Sequence, residues 1–148
     1  MKIPRPLCAA VVAAATIIGS QAFAASPSDP EAAYAVAGLK RIGPKLINEC
    51  GTAVRPSLRT VSLGGSVGDA TVLQIEDIGC YGSAGSQIII LKSEGGQLRP
   101  IFANSAGGFR VLSGRHLGVS DIELGVPGLA VPIWRWNGRA YEFWKQAR

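Results

Sequence analysis

Histidine occurs once among the 148 residues of this chain, at His116, and cysteine only three times. Metal and redox chemistry are therefore poorly supplied. Cys50, Cys80 and His116 lack the paired ligand spacing of a zinc site, and no two cysteines form a C-x-x-C redox pair. A serine–histidine–acid triad would have to rest on His116, in SGRHLG beside Arg115, with Asp69, Asp77 or Asp121 as its acid. No serine lies in a G-x-S-x-G elbow, because Gly82-Ser83-Ala84-Gly85 has the wrong spacing. Glu76, Asp77, Glu94, Asp121 and Glu123 offer carboxylates for glycosidase chemistry by composition alone. Phosphate-loop, dinucleotide and haem motifs are absent. No Lys/Arg run exceeds Lys40-Arg41, so the cations read as solvated surface and not as a nucleic-acid footprint. The expectation is a protein that is not an enzyme, with no cofactor and no metal; a small hydrolase using His116 is the catalytic alternative.

What is present begins with MKIPRPLCAAVVAAATIIGSQAFA. Lys2 and Arg5 precede an apolar stretch from Leu7 to Ile18, and Ala22-Phe23-Ala24 supplies a small-x-small cleavage site. The stretch is too short and alanine-rich to span a bilayer comfortably, and Cys8 precedes it instead of following it, against a lipoprotein. Residues 1–24 thus read as a cleaved signal peptide, giving a periplasmic or secreted protein with no stable membrane anchor. Cleavage takes 2 of the 15 basic residues, and 13 against 10 acidic ones leaves a net charge of +3. It also removes Cys8, leaving Cys50 and Cys80 as one pair in an oxidising compartment, a predicted disulfide. Closing that loop is worth roughly 3 kcal/mol.

Ser28-Asp29-Pro30-Glu31 has the form of a helix start: a capping side chain, a first-turn proline and a carboxylate at the positive end of the dipole. Tyr34, Leu39, Ile42, Leu46 and Ile47 follow at roughly helical spacing, with a kink expected at Gly43-Pro44. Gly51 suits a left-handed helix end. Residues 25–56 therefore read as an N-terminal helical segment. Beyond it, LRTVSL, ATVLQIEDI, QIIILK, QLRPIFA, FRVLS, VSDIEL, VPIWRWN and RAYEFWK alternate with glycine clusters. That pattern predicts short antiparallel strands over residues 57–148, in one domain with 25–56. The fold class is α+β, mostly β: an N-terminal helix packed on a curved antiparallel meander of about seven to eight short strands. A two-residue turn at Asn137-Gly138 would pair Trp136 with Arg139, Trp134 with Tyr141 and Pro132 with Phe143 on one face. That face reads either as a sugar-stacking platform, with Arg139 over Trp136, or as the core side, which the polar Arg135 and Glu142 opposite favour.

The stretch VSLGGSVGDATVLQIEDIGCYGSAGSQIIIL, followed by GVSDIELGVPGLAVPIWRWNGRAYEF, resembles exported bacterial domains of the FG-GAP/VCBS-like kind over roughly residues 58–144. That family's aspartate-rich loops bind calcium, but the corresponding places here hold Ser62, Gly64 and Ser66, with only Asp69 left, so no calcium site is expected. The loop Ser83-Ala84-Gly85-Ser86 is similar to the serine-glycine loop of periplasmic lysozyme inhibitors, notably the invertebrate-type class. The resemblance implies a tip that enters the lysozyme cleft through Ser83, Gly85 and Ser86, aided by Tyr81. The tyrosine usual shortly after that glycine is missing, since Gln87 and Ile88 stand there. A net positive partner also gains no steering toward a basic lysozyme. The plainer reading is a turn of small residues beside a disulfide. The sequence thus points to a non-catalytic exported binding domain that recognises a protein or a cell-envelope glycan through sheet-edge loops. Tyr81, Ser83, Gly85, Ser86, Arg115, His116 and Arg139 are its candidate binding residues, and lysozyme inhibition through Ser83–Ser86 is the first alternative.

Overall fold

The computed structural model describes residues 29–125 and 128–147; residues 1–24, expected as a signal peptide, lie outside the described residues. Helix α1 (Pro30–Val36) starts where the capping pattern places it, the Asp29 carboxylate accepting from the Glu31 N–H at 3.0 Å. It ends after 7 residues. In place of the expected longer helix, β1 (Lys40–Ile42), β2 (Lys45–Ile47) and β3 (Ala53–Val54) form an antiparallel three-stranded sheet. Gly43-Pro44 is thus the tip of a hairpin and not a kink. Proline donates no N–H and drives the residue before it out of the α region, and Gly43 takes φ +57°. Gly51 is left-handed as foreseen, at φ +80°, but it closes the β2–β3 loop instead of a helix. Asn48 organises that loop, its Oδ1 accepting from the Cys50 N–H at 3.1 Å and the Thr52 N–H at 2.9 Å.

The eight later segments all become strands, divided between two sheets instead of forming one. β4 (Ser57–Gly64), β5 (Gly68–Glu76), β6 (Ser86–Glu94) and β7 (Gln97–Ser105) make one four-stranded antiparallel meander. β8 (Gly108–His116), β9 (Val119–Gly125), β10 (Pro132–Trp136) and β11 (Tyr141–Gln146) make the other. Val72, Ile88 and Ile90 of the first sheet pack with Ile122, Leu124, Trp136 and Tyr141 of the second. Leu73, Ile75, Ile89 and Leu91, which alternate with them, pack with Ala33, Leu39, Leu46 and Val54 of the N-terminal layer. The first sheet is therefore sandwiched, which is why Ile88–Leu91 reads as an unbroken apolar run and not as an alternation. Pro100 sits in β7, an edge strand, beside the bulge at Ile90/Leu91, where a missing N–H is tolerated.

The last hairpin differs in register from the sequence expectation. Asn137 accepts through Oδ1 from the N–H groups of Arg139 and Ala140, both at 2.9 Å, and its own N–H donates to the Ala140 carbonyl at 3.0 Å. This four-residue loop pairs Trp136 with Tyr141 and Trp134 with Phe143. The shift is even, so the aromatic residues keep their common face while Arg139 leaves it. That face is core at its turn end, where Trp136 is 1% exposed and lies edge-on to Tyr141 at 5.7 Å, while Phe143 at the other end is exposed. Burial pushes the Tyr141 phenol well up from its ordinary value, and its hydroxyl donates to the Ser120 carbonyl at 2.7 Å.

Candidate functional site

The turns fall at two opposite ends of the sheets. Strand register puts the β4–β5, β6–β7, β8–β9 and β10–β11 turns at one end and the segment 77–85, between β5 and β6, at the other. This divides the candidate binding residues. Tyr81, Ser83, Gly85 and Ser86 lie at the second end, whereas Arg115, His116 and Arg139 lie at the first, so the two groups do not form one site.

Segment 77–85 is heavily constrained. Asp77 caps the short helix α2 (Ile78–Tyr81), Oδ1 accepting from the N–H groups of Gly79 at 3.0 Å and Cys80 at 3.3 Å. Its Oδ2 accepts from the Asn48 side-chain amide at 2.8 Å. These bonds, led by that from Asn48, hold the Asp77 carboxyl below its usual range. Cys50 and Cys80 form a disulfide with Cα atoms 5.8 Å apart, tying the β2–β3 loop to α2. A 3-10 turn (Gly82–Ala84) follows, closed by Gly85 at φ +78° and by the Asp77 N–H donating to the Gly85 carbonyl at 3.0 Å. Glycine is required there because the left-handed conformation strains any side chain.

The four residues on this segment have different environments. Ser83 is exposed. Tyr81 packs against the N-terminal core layer, and partial burial raises its phenol. Ser86 is 2% exposed. Its hydroxyl donates to the Ala106 carbonyl and accepts from the Gln74 amide at 3.3 Å. Beside this loop lies an open groove of about 520 Å³ lined by Gln74, Glu76, Asp77, Ile78, Gly85 and Gly107, among others. Ile78 stands at its rim with 76% of its surface exposed. Sequence reasoning missed Ile78 and named Glu76 only as a carboxylate by composition. A capping aspartate directly after a buried strand was the available signal, since the residue following such a cap opens a new helix and has no core to enter.

At the other end His116 Nδ1 lies 2.8 Å from the Trp136 carbonyl. A carbonyl only accepts, so Nδ1 is the donor in this contact. Arg115 lies against the β4–β5 turn, where a Cβ on Gly64 would come within 3.0 Å of its guanidinium. Arg139 is exposed, and its carbonyl accepts from Arg99 at 3.3 Å. Leu117 and Gly118 form the two-residue β8–β9 turn with φ of +52° and +78°. Both signs are those of the type I′ hairpin turn, which favours asparagine over leucine at its first position. Leu117 is 61% exposed. Leu117→Asn is therefore expected to raise stability by about 1 kcal/mol, read as a higher urea midpoint with unchanged slope.

No family model, curated protein or solved structure matches the chain. Among the described residues no group of three or more His, Cys, Asp or Glu side chains could hold a metal ion, and no helix is long and apolar enough to cross a membrane. Asp121, a candidate acid by composition, is 2% exposed and paired bidentately with Arg135, Nε to Oδ1 at 3.1 Å and Nη2 to Oδ2 at 2.9 Å. The Arg135 guanidinium lies over the Trp144 ring. A buried carboxylate engaged on both oxygens ties strand β9 to strand β10.

Proposed function

We propose that this protein is a non-catalytic exported binding domain whose recognition surface is the groove beside segment 77–85. The observation that carries this reading is a rigid loop presenting an unburied aliphatic side chain. The disulfide, the Asp77 cap and the Asn48 bond all immobilise the segment, while Ile78 is turned outward at the rim. A preorganised apolar anchor loses little entropy on association. Glu76 and Asp77 beside it complement a basic rim on the partner. Those features favour a protein over a glycan at this groove. They weigh against lysozyme inhibition, in which the loop would meet catalytic carboxylates: Ser86 is enclosed, and the groove brings two carboxylates of its own. A hydrolase on His116 has little support, because the partner orienting its ring is a backbone carbonyl and not a carboxylate.

Photocrosslinking in the cell that makes the protein tests the proposal. A photoreactive residue at Ile78 or Ser83 is expected to give one discrete adduct, lost when Glu76→Lys is added. The same residue at Lys145, on the far strand β11, is expected to give none. No adduct from either loop position, or the same adduct from Lys145, would remove this surface from consideration.

A further inference from the structure

A second and larger groove, about 700 Å³, lies in the N-terminal layer, away from the surface just described. Its lining includes the paired residues Leu46 and Val54 of adjacent strands β2 and β3, whose side chains are mostly buried. Tyr34, Pro44 and Pro56 also line it, as do three cations, Arg41, Lys45 and Arg55. None of the described residues lining it carries a carboxylate. Arg41 is fixed by Glu31 of α1, its Nε donating to Oε2 at 3.0 Å. Lys45 and Arg55 are exposed and have no ion pair among the described residues. With a net charge of only +3 after removal of Lys2 and Arg5 (13 minus 10), the unpaired Lys45 and Arg55 beside one concavity, next to the Glu31-paired Arg41, form a local concentration of positive charge.

We propose that this groove binds an acidic oligosaccharide. The cations answer its carboxylates, while the tyrosine and proline faces suit the C–H faces of pyranose rings. An acidic peptide is the poorer match. It would gain affinity by adding a strand, but β3 is only 2 residues long and Pro56, which cannot donate to a ladder, follows it closely.

Titration of the mature protein with a galacturonate hexamer, maltohexaose and hexaglutamate distinguishes these cases. The hexuronate is expected to bind, at least tenfold more tightly than either other ligand, and to weaken as salt is raised. The double variant Lys45→Gln/Arg55→Gln should weaken it at least tenfold with the melting temperature unchanged, because both side chains are exposed, while Lys45→Arg should retain it. Failure of the hexuronate to bind, equal binding of maltohexaose or hexaglutamate, or an unaffected double variant would each overturn the proposal. Glu76→Lys should leave this titration unchanged, so failure here and failure at the Ile78 groove are read separately.

Discussion

Trp136→Ala is expected to lower the unfolding free energy by about 4 kcal/mol, the largest single-residue effect in this fold. Trp136 is 1% exposed at the centre of the interface between the two four-stranded sheets. It packs edge-on to Tyr141 in a cluster that also holds Ile88, Ile90 and Ile122. Alanine would remove the indole contacts and leave a cavity that two hydrogen-bonded sheets are poorly able to collapse into. Its Nε1 is buried and has no hydrogen-bond partner among the described residues, so Trp136→Phe also removes a donor that is costly to leave unpaired. The phenylalanine variant is therefore expected to lose less than half as much as the alanine variant. Urea denaturation of the three proteins checks this, with the order wild type, phenylalanine, alanine in falling midpoint. Equal losses for the two variants would show that indole size, and not the orphan donor, sets the cost.

Removing the disulfide with Cys50→Ala/Cys80→Ala is expected to cost roughly 3 kcal/mol. The bridge closes a loop of 30 residues that runs through β3, β4 and β5, so without it the unfolded chain regains substantial freedom. Part of the tie survives, because Asn48 still donates to Asp77 at 2.8 Å across the same junction. The fold should therefore persist with a lower urea midpoint while the Ile78 groove loses rigidity, weakening any partner that uses it. A free-thiol count on wild-type protein produced in an oxidising compartment should find neither Cys50 nor Cys80 reactive. Two reactive thiols, or a double variant as stable as wild type, would show that the loop is held without the bridge.

Much of the framework was legible in the chain. The apolar segments separated by glycine clusters became β4 to β11 because hairpin chemistry is local: at Gly64-Gly65 and Gly95-Gly96 a glycine pair at positive φ fixes where the strand must reverse. Pairing Cys50 with Cys80 followed from counting once Cys8 was assigned to the signal segment. The helix start at Asp29-Pro30-Glu31 was legible for the same reason, since a cap depends on three or four neighbouring residues.

What the chain hid was non-local. Tyr34 to Ile47 carries apolar residues at helical spacing, yet most of it folds as a hairpin, because Gly43-Pro44 cannot continue a helix and Leu46 gains more by packing on the first sheet. The register of the final hairpin turned on the Asn137 side chain accepting two backbone N–H groups, which a dipeptide turn rule does not count.

The sequence by itself determined the strands from residue 57 onward, the helix start at Asp29, the cysteine pair and which face of the aromatic hairpin is apolar, because each depends on neighbours along the chain or on parity. Only the tertiary structure decided that the strands divide into two sheets with an N-terminal layer outside them. It also decided that Ser86 is enclosed while Ile78 is bare, and that the Gly-Ser loop and the His116 turn stand at opposite ends. Those outcomes depend on how much apolar surface each face can bury against another, and that sum is taken over residues distant in the chain.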